Sequence, residues 1–275
     1  MRNQVFKMSE DATEAQLHFD NLTIGYRTRR REVVVASGLS ATLERGKLTC
    51  LLGRNGTGKS TLLRTLAGLQ PPLNSQLPTL TSHLSPLTSH PSPPNSQLST
   101  LNSQLSPPNS HLPTLTSHLS VALVLTERPD LRNLTASEVV GLGRTPYTNF
   151  WGTLHEEDRR IVAEALQLVG IEALADRPFE TLSDGEQQKV MIAKALAQQT
   201  ATLMLDEPTA FLDYPSKREV FQLLHRLAHE HGKAILLTTH DVALAEAFSD
   251  TVWLLSDGQL LTGSADLLQN MLEST

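Results

Sequence analysis

The chain has 275 residues, 39% of them hydrophobic, and a formal net charge of −6 from 23 basic and 29 acidic side chains. That length supports one large α/β domain or two small ones with a substantial core, and the acidic balance supplies no basic field of the kind that draws a protein onto nucleic acid, so no nucleic-acid partner is expected. The one cysteine, Cys50, cannot close an internal disulfide and reads as a small buried hydrophobe beside Leu48, Leu51 and Leu52.

Residues 1–12 are polar and mixed in charge, without the apolar stretch of a signal peptide. The apolar runs, such as 121–125 and 234–237, fall far short of the roughly 20 residues that cross a bilayer as a helix. A cytosolic chain is expected, reaching any membrane only through a partner.

A β-rich run over 47–52 leads into Gly53-Arg54-Asn55-Gly56-Thr57-Gly58-Lys59-Ser60, with a helix expected over 60–68. Strand, glycine-rich loop and helix in that order form a phosphate loop. Its glycines let backbone N–H groups turn inward around phosphate oxygens, and the helix N-terminus adds positive potential there, with Thr61 next in line. Lys59 is expected to reach the terminal phosphates of ATP and the Ser60 hydroxyl to hold Mg²⁺.

From residue 73 to 119 a seven-residue unit repeats seven times, marked by Ser75, Ser82, Ser89, Ser96, Ser103, Ser110 and Ser117. Leucine recurs at two positions of the unit, with Pro94 and Pro108 substituting at the first, as in a coiled-coil heptad. Ten prolines between Pro71 and Pro113, and no Asp, Glu, Lys or Arg from Thr65 to Thr126, exclude that reading. The segment 71–120 is expected to be a disordered insertion, a tandem duplication tolerated in a surface loop, with a polyproline-type docking site as the alternative.

Beyond the insertion a helix is expected over 156–168, within a helical lobe of about 127–200. An apolar strand then ends in Asp206 and Glu207, where an open parallel sheet places its chemistry. Asp206 is expected to hold Mg²⁺ through water, and Glu207 to act as the base that polarises the attacking water. The helix expected over 216–231 puts Val220, Leu223, Leu224 and Leu227 on one face, and Gly232 stops it before a strand over 234–238. Alternating strands and helices predict an α/β fold with a mainly parallel sheet.

Leu182-Ser183-Asp184-Gly185-Glu186-Gln187-Gln188 closely resembles the signature motif of ABC ATPases, and its place upstream of Asp206-Glu207 is the family's order. The resemblance spans about 17–263 outside the insertion, and implies one ABC ATPase domain over 14–265, a P-loop NTPase core, with 266–275 as a tail. It further implies that Tyr26 stacks on adenine, that His240 contacts the γ-phosphate, and that Phe211-Leu212-Asp213 is a dimer-contacting loop. In the family, two subunits pair head to tail and hold ATP between the phosphate loop of one and the signature motif of the other. Ser183, Gly185 and Glu186 are thereby nucleotide residues. A homodimer or a paired ABC subunit is implied, beneath a transmembrane permease at the cytoplasmic face, with a substrate-binding protein as an indirect partner.

The chain departs from the family pattern where the signature reads Ser-Asp-Gly-Glu, and where Glu127 replaces the glutamine that links Mg²⁺ to the permease interface. A third departure is the repeat, which stands where the family has a β-hairpin and a following strand. An active ATPase with altered coupling is expected. Asn133-Leu134-Thr135 and Gly141 to Tyr147 resemble importers of iron-siderophore complexes, haem or cobalamin. Alternatives are a soluble, non-transport ABC ATPase, which a single cassette with an uncharged insert argues against, and a non-catalytic or decayed ATP-binding subunit, which the altered motifs raise.

Overall fold

A computed structural model describes residues 15–27, 31–74, 79–80, 121–127, 131–149 and 151–265. The described residues belong to one compact unit, and the segment 82–118 is divided from it. That segment lies outside the described residues, as does most of the expected insertion.

Two long strands, β1 (Ala15–Arg27) and β2 (Glu32–Glu44), form an antiparallel pair, and the two-residue β4 (Thr79–Leu80) adds to the other edge of β1. A six-stranded sheet has the order β5 (Val121–Val124), β6 (Thr202–Leu205), β7 (Ala234–Thr238), β3 (Leu48–Leu52), β8 (Thr251–Ser256) and β9 (Gln259–Ser264). Its first five strands are parallel, and only β9 runs antiparallel.

The alternation of a strand's side chains sorts the core into two layers. On the large sheet, Leu48, Cys50, Leu52, Leu203, Leu205, Ile235, Leu237, Val252 and Leu254 pack toward the helices on one face. The residues between them, Leu51, Met204, Leu236, Trp253 and Leu255, meet Leu17, Phe19, Leu22, Ile24, Leu39 and Leu43 of the antiparallel sheet. Helix α1 (Lys59–Leu66) contributes Leu62, Leu63 and Leu66 to that second layer. Phe19 and Trp253 pack edge to face, 5.7 Å apart and 78° between planes, so the largest buried ring joins the two sheets.

The remaining helices are α2 (Ala136–Gly141), α3 (Glu156–Leu168), α4 (Asp184–Leu196), α5 (Tyr214–His231) and α6 (Val242–Phe248). The helix expected over 156–168 and the strand expected over 234–238 have those bounds. Helix α5 starts two residues before the expected Ser216, because Asp213 caps it by accepting from Ser216 N at 3.1 Å, and Pro215 is tolerated in a first turn. Helix α1 ends at Leu66, short of the expected 68, where Gly68 takes a positive φ of 73°.

The expected disorder does not extend to the first residues of the insertion. Leu73 N donates to Thr23 O at 2.9 Å, Asn74 Oδ1 accepts from Thr23 N at 3.0 Å, and Thr79 and Leu80 pair with His18 and Leu17. Backbone groups on the edge of β1 need partners, and this edge takes them from the start of the repeat.

Helices α2, α3 and α4 pack against one another, and Arg144 beside them is 5% exposed. Arg144 Nε donates to Asp158 Oδ1 at 2.9 Å, and its Nη1 donates to Ala197 O at 2.8 Å and Gln199 Oε1 at 3.0 Å. Its guanidinium lies over the Tyr147 ring at 4.0 Å. The Arg144 bond, followed by the donation from His155 N, holds the Asp158 carboxyl below the usual carboxylate range. A depressed native pKa contributes stability above the unfolded value, and this is lost as pH falls through the native one. Asp158→Asn is therefore expected to lower the melting temperature at pH 7. The gap between variant and native protein should narrow on acidification below about 4, as followed by circular dichroism.

Candidate nucleotide site

Strands β3, β6 and β7 end side by side, and their C-terminal residues converge on Asp206. Ser60 Oγ donates to Asp206 Oδ1 at 3.0 Å, and Thr238 Oγ1 donates to the same oxygen at 2.9 Å. Asp206 N donates to Val124 O at 2.8 Å, and Thr126 Oγ1 donates to Asp206 O at 2.7 Å. The start of α1 and the ends of β7 and β5 are thus fixed to one buried residue, the first two through its carboxylate and the third through its backbone.

The phosphate loop lies over the end of β3. Gly53 and Gly58 have φ of 154° and 107°, in the region where a side chain is strained, and a Cβ on Gly58 would run into Val35 Cγ1. The first turn of α1 leaves the N–H groups of Lys59, Ser60 and Thr61 without intrahelical acceptors, so they are available to an anion. Thr57 Oγ1 donates to Arg54 O at 3.0 Å, which folds the loop on itself. Lys59 is 5% exposed, with Nζ donating to Gly53 O at 2.8 Å and Arg54 O at 3.1 Å. Burial lowers its pKa, and the nearby carboxylates of Glu207 and Asp206 oppose that shift.

Glu207 occupies a left-handed conformation, φ 47°, uncommon for a side chain of its size. The strain is held in place by Thr238, whose Oγ1 accepts from Glu207 N at 2.7 Å. That conformation turns Glu207 Oε1 toward His240 Nε2, 2.5 Å away. The two residues line a cleft of about 410 Å³ with Thr209, Ala210 and Lys217. His240 also lines a cleft of about 460 Å³ with Gly53, Arg54, Thr57 and Asp257.

Lys59, Ser60, Asp206, Glu207 and His240 are therefore brought together with the phosphate loop, and Tyr26, Ser183, Gly185, Glu186, Asp213 and Glu127 are not grouped with them. Tyr26 is half exposed and lines a separate crevice with Gln70, Pro71, Pro72 and Leu73. Ser183 caps α4: its Oγ accepts from Glu186 N at 3.4 Å, while Ser183 N and Oγ both donate to Glu186 Oε2, at 2.8 and 2.9 Å. These bonds hold the Glu186 carboxyl below the usual range. Gly185 faces Ser216 of α5, where an added Cβ would come within 3.2 Å of its hydroxyl. Asp213 is engaged as the cap of α5, and its bonds from Ser216 lower its pKa.

Glu127 is exposed and lines a narrow crevice with Asp184, Gln187, Gln188 and Met191. It is not grouped with Ser60 and Asp206, although the preceding Thr126 reaches the Asp206 carbonyl. Glu127 and Asp184, two of the three acidic residues that depart from the family pattern, thus share one crevice.

Thr238 was not singled out from the sequence; the only signal was a hydroxyl residue closing an apolar strand before Thr239 and His240. Thr126 is a parallel case at the end of β5.

A model of the ABC transporter family matches residues 36–210, the greater part of the chain. The chain belongs to the ABC transporter family. The iron(3+)-hydroxamate import ATP-binding protein of Bacillus subtilis is 35% identical over 89% of this chain and 80% of its own length. The hemin import ATP-binding protein of Bordetella pertussis is 35% identical over 90% and 86%. Among solved structures, cbiO1 of Clostridium perfringens, part of the cbiONQ ABC transporter complex, aligns with a TM-score of 0.72 and 27% identity, over 94% of this chain and 92% of its own. This ABC ATPase binds ATP and hydrolyses it with a P-loop NTPase core. Among the described residues no helix is long and apolar enough to cross a membrane.

Thr238→Val keeps the shape of the side chain and removes both of its hydrogen bonds. It is expected to cost about 1–3 kcal/mol of stability by leaving the Glu207 N–H unpaired. Hydrolysis should fall more than ATP binding. Denaturant unfolding and steady-state ATPase rates check the two halves.

Proposed function

We propose that this ATPase drives import of an iron-siderophore complex or haem, working as a pair of subunits beneath a membrane permease on the cytoplasmic face. The observation that carries the catalytic part is the joining of Glu207 to His240 at the edge of the Asp206 cluster. The cargo rests on likeness to the hydroxamate and hemin import subunits, with cobalamin as a related alternative. An import complex of this kind takes its cargo from a substrate-binding protein on the far side of the membrane.

Lys59 and the N–H groups of the phosphate loop and α1 bind the β- and γ-phosphates, with His240 facing the γ-phosphate across the cleft. Ser60 and Asp206 present hard oxygen ligands 3.0 Å apart, a donor set suited to Mg²⁺. When bound, Mg²⁺ neutralises charge on the phosphates. Glu207 orients a water for in-line attack on the γ-phosphorus and accepts its proton. His240 fixes the carboxylate's direction. Tyr26 supports the adenine.

In the paired state the γ-phosphate of one subunit meets the start of α4 in the other. Gly185 N–H and the helix dipole favour the anion, while Glu186 holds both Ser183 donors and opposes it. ATP must displace this carboxylate to use Ser183. Loss of the γ-phosphate then releases the contact and opens the pair.

Glu207→Gln should bind ATP and hydrolyse it at least about a hundredfold more slowly, since an amide cannot take the water's proton. It should accumulate as an ATP-bound dimer in size-exclusion chromatography. Normal turnover would remove Glu207 from the role of base. Glu127→Gln should change permease-stimulated hydrolysis more than the basal rate, measured with and without the permease in vesicles. Equal effects on both rates would place its role at the nucleotide alone.

A further inference from the structure

On the opposite end of the sheet from the phosphate loop, two imidazoles and a carboxylate face one another. His225 and His229 are one turn apart on α5, and their rings stack with centroids 4.1 Å apart and 19° between planes. His229 Nε2 lies 3.0 Å from Asp250 Oδ2, in the residue just before β8. One ligand atom from each of the three lies within 4.8 Å of the other two.

We propose that His225, His229 and Asp250 bind one divalent transition-metal ion of the zinc type. Imidazole and carboxylate are the ligands that Zn²⁺ and its neighbours accept, and three protein ligands leave a fourth position for water. Tetrahedral bonds of about 2.05 Å set neighbouring ligand atoms about 3.3 Å apart, close to the His229 to Asp250 separation. His225 closes the remaining distance by side-chain rotation, since i and i+4 residues share a helix face.

Leu48 N donates to Asp250 Oδ2 at 2.8 Å, which fixes the carboxylate as bonded ligands of metals are fixed. A plain His229 and Asp250 ion pair at the end of a helix would account for one ring only. Helix spacing brings the second ring alongside the first, and a shared cation would turn a ring nitrogen of each toward one point. Leu48 opens β3 and Gly53 follows its end, so the five-residue strand places this site about 16 Å from the phosphate loop. The ion would pin the last turns of α5 to the entry of β3 and β8, independently of the Mg²⁺ and nucleotide bound at the other end.

The test is titration calorimetry of the full chain with Zn²⁺ alone, in the absence of nucleotide and in excess Mg²⁺, with Co²⁺ absorption reporting the coordination geometry. About one Zn²⁺ per chain is expected at this site, with affinity falling tenfold or more in His225→Ala and in His229→Ala, as loss of a ligand costs at least what loss of its supporting partner does. The exposed His231→Ala should bind as the native protein does. Zn²⁺ should raise the melting temperature of the native chain and not that of the double variant. Unchanged affinity and stoichiometry in the double variant would overturn the site and assign the binding to other histidines, such as those of the repeat. Absence of Zn²⁺ binding to the native chain would overturn it outright. Neither result would touch the ATPase reading, which rests on residues at the other end of the sheet.

Discussion

The Asp206 carboxylate accepts from Ser60 and Thr238 at one oxygen, and the register of the site depends on that shared acceptor. Ser60 arrives from the phosphate loop after β3, Thr238 from the end of β7, and Asp206 from β6 between them in function though not in order along the sheet. In a nearly dry setting such bonds are stronger than in water, and an unmade one is costly. Any shift of one strand end against another is thereby resisted beside the phosphate loop. Thr238 extends the constraint to Glu207, whose uncommon backbone conformation would otherwise relax and carry the carboxylate away from His240.

The same economy of groups appears at the signature motif. A glutamate at the third helical position makes a good capping box, because its carboxylate serves Ser183 N–H and hydroxyl at once. Under the proposed function, that carboxylate also occupies the place where a phosphate would be received. Stability of the α4 start and affinity for an anion there are in competition, and the balance is electrostatic, hence sensitive to salt. Glu127 and Asp184 add two more negative charges in a neighbouring crevice.

The helical lobe has its own centre. Arg144 ties α3 to the end of α4 through Asp158, Ala197 and Gln199, and Tyr147 adds a bond from its hydroxyl to Gln198 O at 2.7 Å. The Gly141 to Tyr147 stretch, which in the sequence resembles importers of metal chelates, therefore carries an internal packing role in this chain. Thr135, in the other stretch of that resemblance, caps α2 through Glu138. Both motifs organise the lobe.

Short-range chemistry was readable from the sequence. The phosphate loop is contiguous, so its glycines, Lys59 and Ser60 announce their function together, and Asp206-Glu207 ends an apolar strand whose period and length identify it. Helix α5 was legible from its apolar face and the Gly232 stop, although the Asp213 cap that starts it was not. The antiparallel pair β1 and β2 was not, because register shifts at several points break the period of two, and Asn21 and Gly38 take positive φ within the strands. Only the tertiary structure showed that the first residues of the repeat complete that sheet, since the need for partners on the edge of β1 is invisible in the composition of the repeat. The pairing of Thr238 with Asp206 joins residues 32 apart, and the meeting of His225 and His229 with Asp250 joins a helix to a distant strand entry. Such contacts depend on which strands lie side by side, a choice made by burying both faces of the central sheet at once.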